Sequence, residues 1–366
     1  MKTLIIGGGA SGLYLGSLLS GSIVLERSRP GQKLLLTGGG RCNYTHSGSV
    51  EDLLGHYNGN RQFIKRVLYQ HQPEDITRYL GELGIRTKEE AGGQRYPASD
   101  RAWDIAEALS SRCSLLFGKA LGIEKHEGRF IVRTEDAVLD ADNVVLATGG
   151  MAYPMTGSDG NGYRLAESLG HTVEKPRPAL SPLSLSENLS RAEGVSLKAT
   201  LRTGKKEKTG DILITRDGLS GPAALNLSRE FPGDLTVSFL GDADLSQAAK
   251  LVKNALPIPP RLSEALLGSL SEKKCGNLSK ADKSTIISRL TRFSAHAAPV
   301  EKNAMVSRGG VSTKEINAMT MESKLVKGLY FTGELVDVDA DTGGYNLTWA
   351  FASAYAVYKA LKPGKE

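Results

Sequence analysis

The chain has 366 residues, 40% hydrophobic and 23% charged, which is enough for two or three units built around a large core. Its net charge of +6 at pH 7, from 46 basic and 40 acidic side chains, is small for that length; it mildly favours anionic ligands and is weak evidence for nucleic acid. Three cysteines with no C-x-x-C pair argue against a disulfide framework, a zinc site and a redox dithiol, and no apolar run is long enough to predict a membrane span.

Residues 3–6, TLII, read as an apolar strand that runs into a G-x-G-x-x-G turn at Gly7, Gly9 and Gly12, then into an apolar helix from Leu13. That order makes a glycine cluster a dinucleotide site. Gly7 forms the tight turn, Gly9 lets the backbone approach a pyrophosphate, and Gly12 lets the helix press on the strand. The helix start offers free N–H groups and a positive dipole end to phosphates. Residues 22–25 read as a second strand ending in Glu26, where such a fold places an acid on the adenosine ribose. Lys2 and the apolar residues after it look like the start of a signal peptide, but glycines interrupt them and no A-x-A site follows, so a cytoplasmic location is expected.

Residues 27–43 carry a second triple glycine, Gly38, Gly39 and Gly40, followed by Arg41, whose guanidinium can pair with phosphate. Residues 61–83 look helical, with Phe63, Ile64, Val67 and Leu68 on one face. Residues 92–100 read as a turn-rich loop in which Ser99 or Asp100 caps the helix through Trp103. A meander of short strands over 114–139 leads into NVVLATGG at 143–150. That segment reads equally as a strand ending beside a cofactor or as a plain core strand with a glycine turn.

A glycine loop from Gly157 feeds a short helix ending at Gly170. Pro176, Pro178 and Pro182 then punctuate a linker into a small β unit reaching Leu240, followed by helical stretches at 247–256, 261–270 and 280–290. Near the C-terminal end, a strand at 329–332 turns at Gly333 and Glu334, and Gly343 and Gly344 directly precede a helix over 346–359. Were a flavin ring in front of that helix start, the dipole would stabilise negative charge on its reduced pyrimidine portion. Asp337, Asp339 and Asp341 between them read as a solvated loop, not as metal ligands, and no metal site is expected.

Together GGGASG, GQKLLLTGGGRCN, VVLATGG, GSDGNGY, LLITRDGLSGPAAL and GLYFTGELVDVDADTGGYNLTWAFASAY resemble the HI0933-like flavoprotein family, over nearly the whole chain. The resemblance implies an α/β fold: a discontinuous Rossmann-like FAD-binding domain (residues 1–178 and 300–366) with an inserted small β-barrel (179–241) and a helical lobe (242–299). It implies an FAD-dependent oxidoreductase acting on a small-molecule substrate, with NAD(P)H as a transient co-substrate or oxygen as the oxidant. Activities attributed to relatives include an aminoacetone oxidase and a bile-acid-intermediate reductase.

Carried over by position, Gly7, Gly9, Ala10, Ser11 and Gly12 would cradle the pyrophosphate, and Glu26 with the adjacent Arg27 would serve the adenosine end. Lys33, Gly39, Gly40, Arg41, Cys42 and Asn43 would line the FAD, as would Thr148 and Gly149. Gly333 and Glu334 would lie near the ribityl chain or pyrophosphate, and Gly343, Gly344, Tyr345 and Asn346 under the isoalloxazine. No catalytic set is legible. Cys42, Tyr96 and Tyr345 are the candidates because they stand beside glycine-rich turns, although Cys42 reads more readily as a buried thiol and His46 as a surface histidine.

Two other functions compete. One is a flavin-dependent RNA-modifying or RNA-binding protein, suggested by basic runs at Lys205, Lys206 and Lys208 and at Lys273 and Lys274, which lack interleaved aromatics. The other keeps FAD as a purely structural ligand.

Overall fold

A computed structural model describes residues 2–241 and 243–362. The chain forms two compact units, one from Met1–Arg177 and Val306–Glu366, the other from Pro178–Met305.

The first unit is built on five parallel strands: β1 (Thr3–Ile6), β2 (Ile23–Glu26), β3 (Ser114–Phe117), β4 (Asn143–Leu146) and β5 (Leu329–Phe331). Their order is β5-β4-β1-β2-β3. Every residue of β1, β4 and β5 is buried, which explains why they read as continuous apolar runs without alternation. Helix α1 (Ala10–Leu18) and helix α2 (Tyr345–Leu361), more than three hundred residues apart in sequence, pack together, with the Tyr14 and Phe351 ring centroids 4.6 Å apart.

Several local expectations give way to tertiary context. The helix expected over 61–83 is two helices, Arg61–Leu68 and Pro73–Glu82, because Pro73 starts a new helix whose Asp75 caps the Gln72 N–H. Phe63, Ile64, Val67 and Leu68 are buried as expected. Ser114–Phe117 is no part of the meander but the edge of the parallel sheet, and residues 92–100 are not all loop: Gln94–Pro97 is a strand between Thr45–His46 and Thr87–Glu89. Neither Ser99 nor Asp100 caps the next helix. Arg101 takes the N-cap position, and Asp100 pairs with Lys88.

The second unit is a closed barrel of six strands, ordered Leu183–Leu185, Gly218–Ser220, Lys206–Thr215, Ser196–Thr203, Gly233–Ser238 and Phe293–Pro299. The last strand pairs back onto the first, Leu183 opposite Pro299. It follows the helical stretch in sequence, so the helices are an excursion between two barrel strands. Leu262, Leu266, Ile286 and Leu290 from them share one core with Leu201, Ile212 and Val237 of the barrel. Lys273, in one of the basic runs, is engaged by Asp282 at 3.1 Å. Among the described residues no helix is long and apolar enough to cross a membrane.

Behind α1 the first unit buries a polar cluster. The Tyr14 hydroxyl lies 2.6 Å from His71 Nε2, and the His71 ring stacks on Tyr355 at 4.0 Å. Burial lowers the His71 pKa to about 4, against an ordinary value of 6.5. The unfolded chain therefore binds a proton at higher pH than the folded one. The resulting stability is full above pH 6.5 and lost as pH falls toward 4, a difference of about 3 kcal/mol. His171, whose pKa burial also lowers, adds in the same direction. Thermal unfolding measured from pH 7 to pH 4 should show this loss, and the variant His71→Gln should flatten it; an unchanged slope would refute the assignment.

Candidate functional site

The glycine turn after β1 is a close-packed joint. A Cβ on Gly7 would lie 2.5 Å from the Ala147 carbonyl oxygen, and one on Gly12 would lie 1.9 Å from the Gly7 oxygen. Gly9 differs: an added Cβ there meets nothing within 4 Å. It is the N-cap of α1 and supplies no side-chain cap, so Ala10 and its neighbours face forward with uncapped N–H groups. Ser11 turns its hydroxyl sideways, accepting from Thr332 at 3.1 Å. Glu26 grips the turn: Oε2 accepts from the Gly8 N–H at 2.6 Å and Oε1 from the Ser28 N–H at 2.9 Å. Its carboxylate thus fixes the glycine loop to the end of β2.

Lys33 donates to Glu334 Oε2 at 2.6 Å. Glu334 Oε1 accepts from the Ser307 N–H at 2.8 Å, and Ser307 Oγ accepts from the Met151 N–H at 2.9 Å. Four distant segments, around residues 33, 151, 307 and 334, are thereby tied at one place. Ser307 escaped the sequence reading; its only signal is that it precedes the glycine pair Gly309 and Gly310.

Arg41, expected to line the FAD, is held here by protein groups. Its guanidinium donates to Glu90 at 2.6 Å, lies 3.7 Å from Asp100 and sits 4.1 Å above the Tyr96 ring. Cys42 adopts a left-handed φ of 62° and is fully buried, and burial pushes its thiol up to about 12. It is therefore a protonated core group at neutral pH, not a thiolate nucleophile. Gly39, like Gly9, has open space where a Cβ would stand.

Asn43 Oδ1 and Thr148 Oγ1 are buried and meet no hydrogen-bond partner among the described residues. Thr148 and Gly149 follow the end of β4, and Asn43 Oδ1 lies 2.7 Å from where a Cβ on Gly344 would be. Thr148 Oγ1 in turn lies 1.8 Å from where a Cβ on Gly162 would be, so glycine at 344 and at 162 makes room for these two polar side chains.

At the C-terminal block, Gly333 accepts from Trp349 Nε1 at 3.0 Å through its carbonyl and donates to Ser353 Oγ at 3.0 Å. Asn346 folds the acidic loop on itself: Oδ1 accepts from the Ala340 N–H and Nδ2 donates to the Ala340 carbonyl, each at 3.0 Å. That loop is not solvated as expected, because Asp339 and Asp341 are buried. His56 Nδ1 lies 3.3 Å from Asp341 Oδ2. Nor is His46 a free surface side chain. Tyr345 is sandwiched between the His46 ring at 4.9 Å and the His56 ring at 4.2 Å. Burial raises the Tyr345 hydroxyl to about 12. Among the described residues no group of three His, Cys, Asp or Glu is placed to hold a metal.

The start of α1 thus follows β1 and Thr148 follows its parallel neighbour β4, while Asn43 lies beside the Gly343–Gly344 turn. The open space at Gly9 and the forward N–H groups at the start of α1 fit an anionic dinucleotide such as FAD.

The model of the HI0933-like protein Rossmann domain matches residues 1–360. The chain is 33% identical to a ribosomal RNA dihydrouridine synthase of Escherichia coli K12, covering 99% of this chain and 98% of that protein. It is 32% identical to a 3-dehydro-bile acid delta(4,6)-reductase of Clostridium scindens, covering 97% and 98%. Among solved structures, a 3-ketosteroid-delta4-(5alpha)-dehydrogenase of Rhodococcus jostii aligns with TM-score 0.53 at 13% identity, covering 97% of this chain and 96% of that one, a likeness of fold.

Proposed function

The chain belongs to the HI0933-like Rossmann-domain family of FAD-dependent oxidoreductases, and on that premise we propose that it reduces a carbon–carbon double bond conjugated to a carbonyl. The observation that carries this reading is the chain-wide similarity to two relatives whose names describe one kind of chemistry. Dihydrouridine is uridine whose uracil ring has gained two hydrogens across its carbon–carbon double bond, and a delta(4,6)-reductase saturates ring double bonds of a 3-oxo steroid. FAD, when bound, supplies the two-electron chemistry for such a reduction.

The protein's own contribution is position and electrostatics. Gly7, Gly9, Ala10, Ser11 and Gly12 bring main-chain N–H groups to the pyrophosphate, and Glu26 and Arg27 serve the adenosine end. Lys33, Gly39, Gly40, Asn43, Thr148, Gly149, Gly333 and Glu334 line the cofactor, while Gly343, Gly344, Tyr345 and Asn346 present the start of α2 to the flavin ring. Arg41 and Cys42 belong to the wall behind it: Arg41 is already engaged by two carboxylates and Cys42 lies in the core. NAD(P)H is the reductant in this reading. The one G-x-G-x-x-G unit is taken by FAD, so the nicotinamide visits transiently. A cytoplasmic setting fits three cysteines without a disulfide.

A second substrate reading, uridine within RNA, is favoured by the similarity to the dihydrouridine synthase. One anaerobic experiment tests both. The purified yellow protein should bleach on addition of NADPH or NADH. It should then regain colour with either a 4-ene-3-oxo steroid or a uridine-containing ribosomal RNA transcript, the responsive substrate gaining two hydrogens by mass spectrometry. Absence of bleaching by both nucleotides overturns the reductase reading in favour of an oxidase.

A further inference from the structure

We propose that Asp159 and Lys119 are FAD-retaining residues, which with Arg27 latch residues 157–160 across the carboxyl ends of the parallel strands at the adenosine end of the cofactor. The inference rests on the FAD reading above.

Arg27 directly follows β2, and its Nη1 donates to Asp159 Oδ2 at 2.6 Å and to the Gly157 carbonyl at 3.2 Å. Lys119, two residues beyond β3, reaches the same Oδ2 at 3.1 Å. The other side of the loop is fastened beyond β4. The Gly160 N–H donates to the Gly150 carbonyl at 3.2 Å, and a Cβ on Gly149 would stand 3.2 Å from Ser158 Oγ.

Because β1 lies between β4 and β2 in the sheet, a loop anchored at both flanks bridges the strand whose end carries the glycine turn. In open α/β sheets the carboxyl ends of the strands are where ligands lie. Glu26 marks the ribose position by the same logic, and Arg27 is its neighbour in sequence. The loop therefore runs where a bound adenosine has to enter and leave.

One carboxylate holds two cations here. Burial opposes its ionisation, but hydrogen bonds from Arg27 and Lys119 hold Asp159 at about 2, so the latch stays charged throughout the physiological range. The side chains of Arg27, Asp159 and Lys119 remain about one-third exposed, at 35%, 30% and 28%, so salt reaches the pairs and screens them.

The test is the rate at which holoprotein releases FAD after dilution, read by the rise of flavin fluorescence. Asp159→Asn should release FAD about tenfold faster and Lys119→Met about threefold faster, with unchanged cofactor spectra. Raising ionic strength to about 0.5 M should speed release from the unmodified protein and barely affect Asp159→Asn. Glu124→Gln, which breaks the Arg133 pair on the separate antiparallel sheet, should change nothing. Release at the unmodified rate from both variants overturns the latch, as does a loss of thermal stability without faster release. Should Asp159→Asn fail to fold, Lys119→Met, at a partly exposed position, decides the matter. A wild-type protein that holds no FAD would instead refute the cofactor reading itself.

Discussion

Gly12→Ala should yield a protein that is purified nearly colourless. Alanine in a helix is ordinarily favoured over glycine by about 1 kcal/mol, and on propensity alone this change would stabilise α1. The packing decides otherwise. The added methyl would stand 1.9 Å from the Gly7 oxygen and 3.3 Å from the Ala147 Cβ. Gly7 has no room to retreat, since a Cβ in its own position would stand 2.5 Å from the Ala147 oxygen. Helix and turn must therefore separate, at an expected cost of about 3 kcal/mol, well above the propensity gain. The bound flavin-to-protein ratio should fall at least about tenfold and the unfolding temperature should drop.

Gly9→Ala is the counterpart. Its methyl meets nothing in the protein, so stability without FAD should be unchanged while FAD affinity falls about tenfold. The pair separates packing from ligand contact. A yellow, fully stable Gly12→Ala protein would refute the geometry, and a Gly9→Ala protein with unaltered affinity would remove the phosphate from the turn.

Trp349→Ala should be among the most destabilising changes in the first unit. The indole is 2% exposed, faces Phe63 with centroids 6.1 Å apart, and donates from Nε1 to the Gly333 carbonyl. Removing it leaves a cavity worth about 3–5 kcal/mol and takes one donor from the turn that carries Glu334. The unfolding temperature should fall by roughly 6–20 °C. Trp349→Phe retains most of the packing and should lose only about 1 kcal/mol through the missing hydrogen bond. Equal stability of Trp349→Ala and the unmodified protein in a thermal melt would show that α2 is not held through this contact.

The parts of the site made of backbone were legible in the sequence. Gly7, Gly12, Gly343 and Gly344 announce themselves because close approach or a left-handed φ excludes other residues there. β1, β4 and β5 were legible because strands buried on both faces read as uninterrupted apolar runs. What side chains do across long sequence separations was not. Nothing local to Arg41 reveals that Glu90 and Asp100 reach it from loops later in the chain. Asp339 and Asp341 read as solvated because the pairing of their loop with Tyr57–Asn58 is a tertiary fact. The stacking of His46 and His56 on Tyr345, and the part played by Ser307, are hidden for the same reason.

The parallel sheet takes its last strand from near the far end of the polypeptide, which governs how the protein can emerge from the ribosome. β4 has no outer partner until Leu329–Phe331 have been translated, and the whole of the second unit is made in between. At roughly 5–20 residues per second that wait is on the order of ten to forty seconds. Throughout it the nascent chain carries an unpaired, mostly apolar edge, a surface suited to capture by chaperones and to mispairing on crowded polysomes.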